Sequence, residues 1–142
     1  MYEAYKGTRK PMPEELREQV PVIKELLQKM NITTVELPGY EADDVIGTLS
    51  KKGEKAGMEV DVISGDRDLL QLASDHITIC IPKTKKGQTT VEEYNTEGVR
   101  KLYKVTPTEF IDVKALMGDS SDNIPGVPGI GEKGATAIIS QF

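Results

Sequence analysis

Apolar positions along this chain change spacing several times, and each change marks an element. Leu16, Val20, Ile23, Leu27 and Met30 follow one another at steps of four and three, which lines one face of a helix. Pro13 opens that pattern and Glu14 and Glu15 fill its first turn, where the backbone dipole favours acids. Pro21 interrupts it, which predicts a kink or two abutting helices. Residues 32–37 are a short β-branched run that stops at Pro38-Gly39, the signal of a strand and then a turn. A helix is predicted from Glu41 to about Ala56, with Val45, Ile46 and Leu49 facing inward and Gly57 as its C-terminal cap. Residues 59–64 alternate as a strand does and end at Gly65-Asp66.

Residues 68–74 read as a short helix, and the continuous apolar run 77–81 as a buried strand. Residues 83–88 form a basic turn around Gly87, with 89–94 as the hairpin partner. Asn95 can cap a helix that runs to about Lys104. Thr106-Pro107-Thr108-Glu109 is a capping-box sequence, and its helix should reach Met117. A loop over 118–123 and a Gly/Pro-rich hairpin over 124–131 follow. A last helix starts near Glu132 and is expected to be still running at Phe142, which suggests a truncated chain. Before all of these, residues 1–12 are a polar arm carrying Lys6, Arg9 and Lys10. Helices alternating with strands predict an α/β layer fold.

The length of 142 residues leaves room for one domain and little more. At 37% hydrophobic and 29% charged the chain can build a core, which excludes wholesale disorder. A single Cys, Cys80, excludes a disulfide framework and a multi-Cys zinc site, and it reads as a buried small hydrophobe. His76 is the only histidine, so a His-rich metal site is excluded as well. No run approaches the roughly 18 apolar residues that cross a bilayer, so no membrane partner is expected.

A net charge of −5 argues against a nucleic-acid partner until its distribution is considered. Seven acids stand in three tight groups: Glu41, Asp43 and Asp44; Asp66 and Asp68; Asp119 and Asp122. Outside them the chain holds 18 basic and 16 acidic residues. Glu41 and Asp44 are three apart at a helix start and share a face, with Asp43 on an adjacent side. Asp66 and Asp68 flank the end of a strand, where sites of open α/β sheets gather. Asp119 and Asp122 lie in a loop after a helix. Read singly, these are dipole partners, a turn residue with an N-cap, and ordinary loop acids. Read together, they repel unless something positive sits among them. An all-oxygen set selects hard cations such as Mg²⁺ or Mn²⁺, and several carboxylates can hold two ions for attack on a phosphodiester.

The hairpin Gly126-Val127-Pro128-Gly129-Ile130-Gly131 offers backbone amides beside a helix start, a seat for a phosphate, with Lys133 adding charge. Its plainer reading is a connector with Val127 and Ile130 tucked into the core. Tyr5, Lys6 and Arg9 could clamp a phosphate while Tyr5 stacks on a base, or could belong to a frayed terminus.

These segments together resemble the 5′-nuclease (5′–3′ exonuclease) domain of bacterial DNA polymerase I, within the flap endonuclease superfamily. The resemblance runs almost end to end. It rests on Tyr5-Lys6 with Arg9, on Gly39-Tyr40-Glu41-Ala42-Asp43-Asp44-Val45-Ile46-Gly47 and on Ser64-Gly65-Asp66-Arg67-Asp68-Leu69-Leu70-Gln71-Leu72. It rests above all on the stretch from Lys114 through Gly118-Asp119-Ser120-Ser121-Asp122-Asn123 to Lys133. The resemblance implies a PIN/Rossmann-like sheet core followed by a helix–three-turn–helix element. It implies a divalent-metal nuclease that removes 5′ flaps and primers from branched or nicked duplex DNA in replication and repair, in the bacterial cytoplasm. All seven acids map to metal ligands, and Lys6 and Arg9 to the end of a helical arch that meets the scissile phosphate. Residues 126–131 map to the duplex-gripping hairpin, often built around K⁺.

The family pattern begins with a strand that bears an aspartate and continues beyond residue 142, in polymerase I to a polymerase domain in cis. The expectation is therefore a fragment. Residues 1–105 would be a partial core lacking its first strand, with the arch end at 1–12, and 106–142 the start of the DNA-binding region. Such a piece is expected to be inactive or nearly so, and to self-associate through open sheet edges. Gly134 stands where many relatives carry a hydroxyl residue. The rival expectation is a non-catalytic duplex-binding module in which the hairpin does the work.

Overall fold

A computed structural model describes residues 2–142. They form a three-stranded sheet in the order β1 (Val60–Ile63), β2 (Ile77–Lys85), β3 (Gln88–Tyr94). β1 and β2 are parallel, with Val62 opposite Ile79; β2 and β3 are antiparallel, with Cys80 opposite Glu93. The crossover between the parallel strands is a 3-10 helix, Arg67–Leu72. The hairpin between β2 and β3 is tighter than the sequence suggests. Only Lys86 and Gly87 lie between the strands, both at positive φ (50° and 78°), the backbone that a two-residue turn between twisted strands requires. β2 consequently runs four residues beyond its apolar stretch, and its outer part is largely exposed.

Helices α1 (Glu14–Lys29), α2 (Ala42–Lys55), α3 (Thr96–Tyr103), α4 (Glu109–Met117) and α5 (Glu132–Ile139) complete the fold, which is α/β as expected. The α3 start is capped by Asn95, whose Oδ1 accepts the Gly98 amide at 2.9 Å. Ahead of α4 the box closes in both directions. The Thr106 amide donates to Glu109 Oε2 at 2.7 Å, and the Glu109 amide donates to Thr106 Oγ1 at 3.1 Å. Leu70, Ile77, Ile79, Val99, Val105 and Val113 are fully buried, and Tyr103 meets Phe110 with ring centres 4.7 Å apart. The core thus lies between the sheet, the 3-10 helix, α3 and α4.

Several expectations fail in whole or in part. Residues 32–37 are not a strand: no ladder partner reaches them, and Ile32, Val35 and Leu37 stay about half exposed. Of the two outcomes expected at Pro21, a kink or two abutting helices, the second is excluded: α1 is one helix through it, and it buries none of its residues. The last helix stops at Ile139, with Ser140 as its cap, rather than running to Phe142. On α2, Ile46 packs on the core as predicted but Leu49 is half exposed.

One close approach sets the end of the chain. Gly118 has φ +68°, and a Cβ there would meet the Gly126 backbone and lie 2.6 Å from the Ile124 carbonyl oxygen. A Cβ on Gly126 would run into the Met117 carbonyl group and lie 2.6 Å from the Gly118 nitrogen. Two glycines are needed where the hairpin crosses the end of α4.

Candidate metal centre

The acids arrive from three elements. Asp66 closes the turn after β1 and caps the 3-10 helix, its Oδ1 accepting the Asp68 amide at 2.9 Å. Asp68 sits in that helix's first turn. Glu41 is the N-cap of α2 and Asp43 lies in its first turn. Asp119 follows α4, pinned by a bridge to Ile124, and its Oδ1 accepts the Ser121 hydroxyl at 2.5 Å and the Ser121 amide at 2.8 Å.

Glu41, Asp43, Asp66, Asp68, Asp119 and Asp122 line one pocket of about 610 Å³ together with Tyr5, Lys6 and Arg9. Asp44 does not. Its Oδ2 turns back to accept the Glu41 amide at 3.0 Å, the work of a capping residue. Helical phase suggested Glu41 and Asp44 as the pair on one face; the structure sends Glu41 and Asp43 into the pocket instead. Gln71 and Ser121 also line it and were not anticipated.

The arm is docked. The Lys6 amide donates to the Asp122 carbonyl at 2.9 Å, and Asn123 Nδ2 donates to the Ala4 carbonyl at 2.8 Å. Lys6 Nζ pairs with Glu41 at 2.5 Å and lies 4.8 Å from the Tyr5 ring centre, while the Tyr5 hydroxyl donates to Glu41 at 3.2 Å. Arg9 pairs with Asp122. Lys114, quoted in the family motif but given no role there, lies 2.9 Å from Asp68 and 3.4 Å from Asp119. Its position in the last turn of α4, five residues before Asp119, was the available signal.

Charge in the pocket shows in its titration. The Ser121 hydroxyl, its amide and Lys114 hold Asp119 down to about 2, against some opposing burial. The Lys6 hydrogen bond lowers Glu41 and raises Lys6 in return. Asp43 moves the other way: burial raises it, and so do the Asp66 and Glu41 charges. Burial and like charge both disfavour the ionised form of Asp43, so a positive charge beside it would be favourable. All-oxygen donors in such a pocket suit a hard divalent cation. Even so, among the described residues no three of these groups converge as a ready-made ion site.

The hairpin residues Gly126, Val127, Gly129, Ile130, Gly131 and Lys133 stay outside the pocket. The Val127 amide is committed to the Leu116 carbonyl (2.8 Å) and the Ile130 amide to Val127 (3.0 Å). Among the described residues the Gly129 and Gly131 amides donate to no backbone carbonyl, and the space beside both is open. His76 is exposed and paired with Glu59 at 2.7 Å, away from the pocket; Cys80 is buried. No helix is long and apolar enough to cross a membrane among the described residues.

Two family models match. The 5′–3′ exonuclease N-terminal resolvase-like domain covers residues 1–104, and the 5′–3′ exonuclease C-terminal SAM fold covers 105–142. DNA polymerase I of Bacillus caldotenax is 56% identical over 141 residues, which is 99% of this chain but 16% of that protein. The T5 D15 protein co-crystallised with metal ions superposes with a TM-score of 0.78 at 30% identity, over 99% of this chain and 55% of that one. A bacteriophage T5 D15 flap endonuclease variant in a pseudo-enzyme–product complex with DNA and metal ions gives 0.76 at 30% identity, over 99% and 54%.

Proposed function

The chain belongs to the 5′–3′ exonuclease family, and from that premise we propose that it carries the acidic centre of a nuclease that hydrolyses phosphodiesters in 5′ flaps and primers. The observation behind this reading is the convergence of six acids from three separated stretches with Tyr5, Lys6 and Arg9 in one pocket. Glu41, Asp43, Asp66, Asp68, Asp119 and Asp122 would hold Mg²⁺ or Mn²⁺; Asp44 would act through the helix cap. Such ions supply charge neutralisation and polarise water and phosphate. Lys6 and Arg9 exchange their acid partners for the phosphate of branched or nicked duplex DNA, and Tyr5 stacks on a base. The open amides of Gly129 and Gly131, with Lys133, grip the duplex backbone, with K⁺ as a candidate guest there.

The reading places residues 1–105 as the core and 106–142 as the DNA-binding region, in a bacterial cytoplasmic parent with a polymerase domain in cis. For the 142-residue chain alone we expect weak ion binding and little cleavage. Among the described residues no three of these acids stand close enough to share one ion, and Glu41, Asp68, Asp119 and Asp122 are already paired with basic side chains. The open apolar surface of α1 also favours self-association of this chain.

One observation favours the rival, a duplex-binding module without catalysis: the same lack of a ready-made three-acid site. Calorimetric titration with Mn²⁺, beside duplex binding at low salt, separates the two. The nuclease reading expects heat that Asp66→Asn with Asp119→Asn abolishes. No heat, with duplex affinity unchanged in that double variant, would leave only the module.

A further inference from the structure

Lys6 and Arg9 have a role under the proposed function, but the third cation at the acidic pocket does not. Lys114 stands in the last turn of α4, its ammonium 2.9 Å from Asp68 Oδ1 and 3.4 Å from Asp119 Oδ2. Its side chain is 24% exposed, so these pairs are better shielded than ordinary surface ion pairs. The two acids belong to distant stretches, one in the 3-10 helix after β1 and one in the loop after α4. Carboxylates brought to one place repel unless a positive charge stands between them. Here that charge is tethered to a helix whose Phe110 and Val113 are buried in the core. Lys6 and Arg9 stand on the arm, whereas Lys114 stands on a helix of the core.

We propose that Lys114 is a positioning residue, a tethered counter-cation that holds Asp68 and Asp119 together before divalent ions arrive and gives up their oxygens when ions bind. The inference rests on the divalent-ion reading of the pocket. An ammonium and a hard cation seek the same carboxylate oxygens and therefore compete for them. Removing the ammonium weakens the metal-free fold and strengthens ion binding. A lysine that served only as packing would produce the first effect without the second.

Mn²⁺ calorimetry and thermal melts on the 142-residue chain, with Lys114→Met and Lys114→Arg, provide the test. Lys114→Met should bind Mn²⁺ roughly five- to tenfold more tightly. Its metal-free melting point should fall, and saturating Mn²⁺ should restore most of the loss. Lys114→Arg should return both readings to those of the unmutated chain. Equal or weaker Mn²⁺ affinity in a folded Lys114→Met overturns the inference. Should that variant not fold, the unmutated chain still decides. Added Mg²⁺ should shift the Lys114 side-chain nitrogen signal in step with the Asp68 and Asp119 carboxyl carbons, and a stationary nitrogen signal overturns it. Failure of both the unmutated chain and the Met variant to take up Mn²⁺ overturns the ion reading and this inference together.

Discussion

The two halves of the molecule treat their apolar side chains in opposite ways. From Val62 to Ala135 the sheet, the 3-10 helix, α3, α4 and α5 gather a closed core, with Leu70, Ile77 and Val113 fully buried. Before Val60, Ser50 is the one buried side chain among the described residues, while Leu16, Val22, Ile23, Leu26, Met30, Ile32, Val35 and Leu37 are about half exposed or more. Both halves carry well-formed helices. An amphipathic stripe therefore reports that a face seeks burial, not that this chain supplies what covers it.

The glycine crossing puts the largest stress on the second half. Gly126→Ala drives a Cβ into the backbone at the end of α4, with the Met117 carbonyl group and Gly118 nitrogen in its way and no flexible side chain to yield. A loss of about 3 kcal/mol or more is expected in urea unfolding. A loss below about 1 kcal/mol would mean that the hairpin does not lie against α4 in solution. Leu70→Ala should cost about 3 kcal/mol by the same measurement, because its site is fully enclosed.

How far the sequence revealed this division depends on range. Three local signals read true. The Thr106–Glu109 box, the Asn95 cap and the basic turn at Gly87 involve residues a few positions apart, and each formed. Signals that need a distant partner misled. Residues 32–37 have strand-like branching, but strand status depends on a neighbouring chain that propensity cannot supply. The candidate site divides less simply. Asp66 and Asp119, singled out for the clustering of the acids, line one pocket, whereas Asp44, grouped with Glu41 by helical phase, caps its own helix. Lys114 escaped notice because one of its partners, Asp68, is 46 positions away and is reached only through the packing of α4 on the 3-10 helix. Its other partner, Asp119, was five residues along and in view.

Inside the pocket, where the two halves meet, two acids should titrate with opposite consequences. Asp119, from the second half, is held down to about 2 from an ordinary 3.8. Its stabilising contribution is complete above 3.8 and fades as the pH falls towards 2. Asp43, from the first half, is raised by burial and by Asp66 and Glu41. Its charged form therefore weakens the metal-free fold at neutral pH, and protonation relieves the strain as the pH falls through its raised value. Thermal melts without divalent ions should show Asp119→Asn flattening the acid-side loss of stability, and Asp43→Asn raising the melting point at pH 7. The reverse signs would mean that the acids do not face one another as described.

The smallest expected effect probes the first half most directly. Ile23→Ala on α1 removes a side chain that is 51% exposed, so little apolar area returns to water. Alanine also favours the helix slightly over isoleucine, which offsets part of that loss. Urea unfolding of the monomer should register a change within about 0.5 kcal/mol, against about 3 for Leu70→Ala. If Ile23→Ala instead costs about 2 kcal/mol, the α1 stripe is covered in solution. Repeating the measurement over a range of protein concentrations then identifies the cover. A cost that grows with concentration assigns it to a second copy of the chain, because association stabilises the folded state by mass action. A cost independent of concentration requires α1 to fold back on its own core.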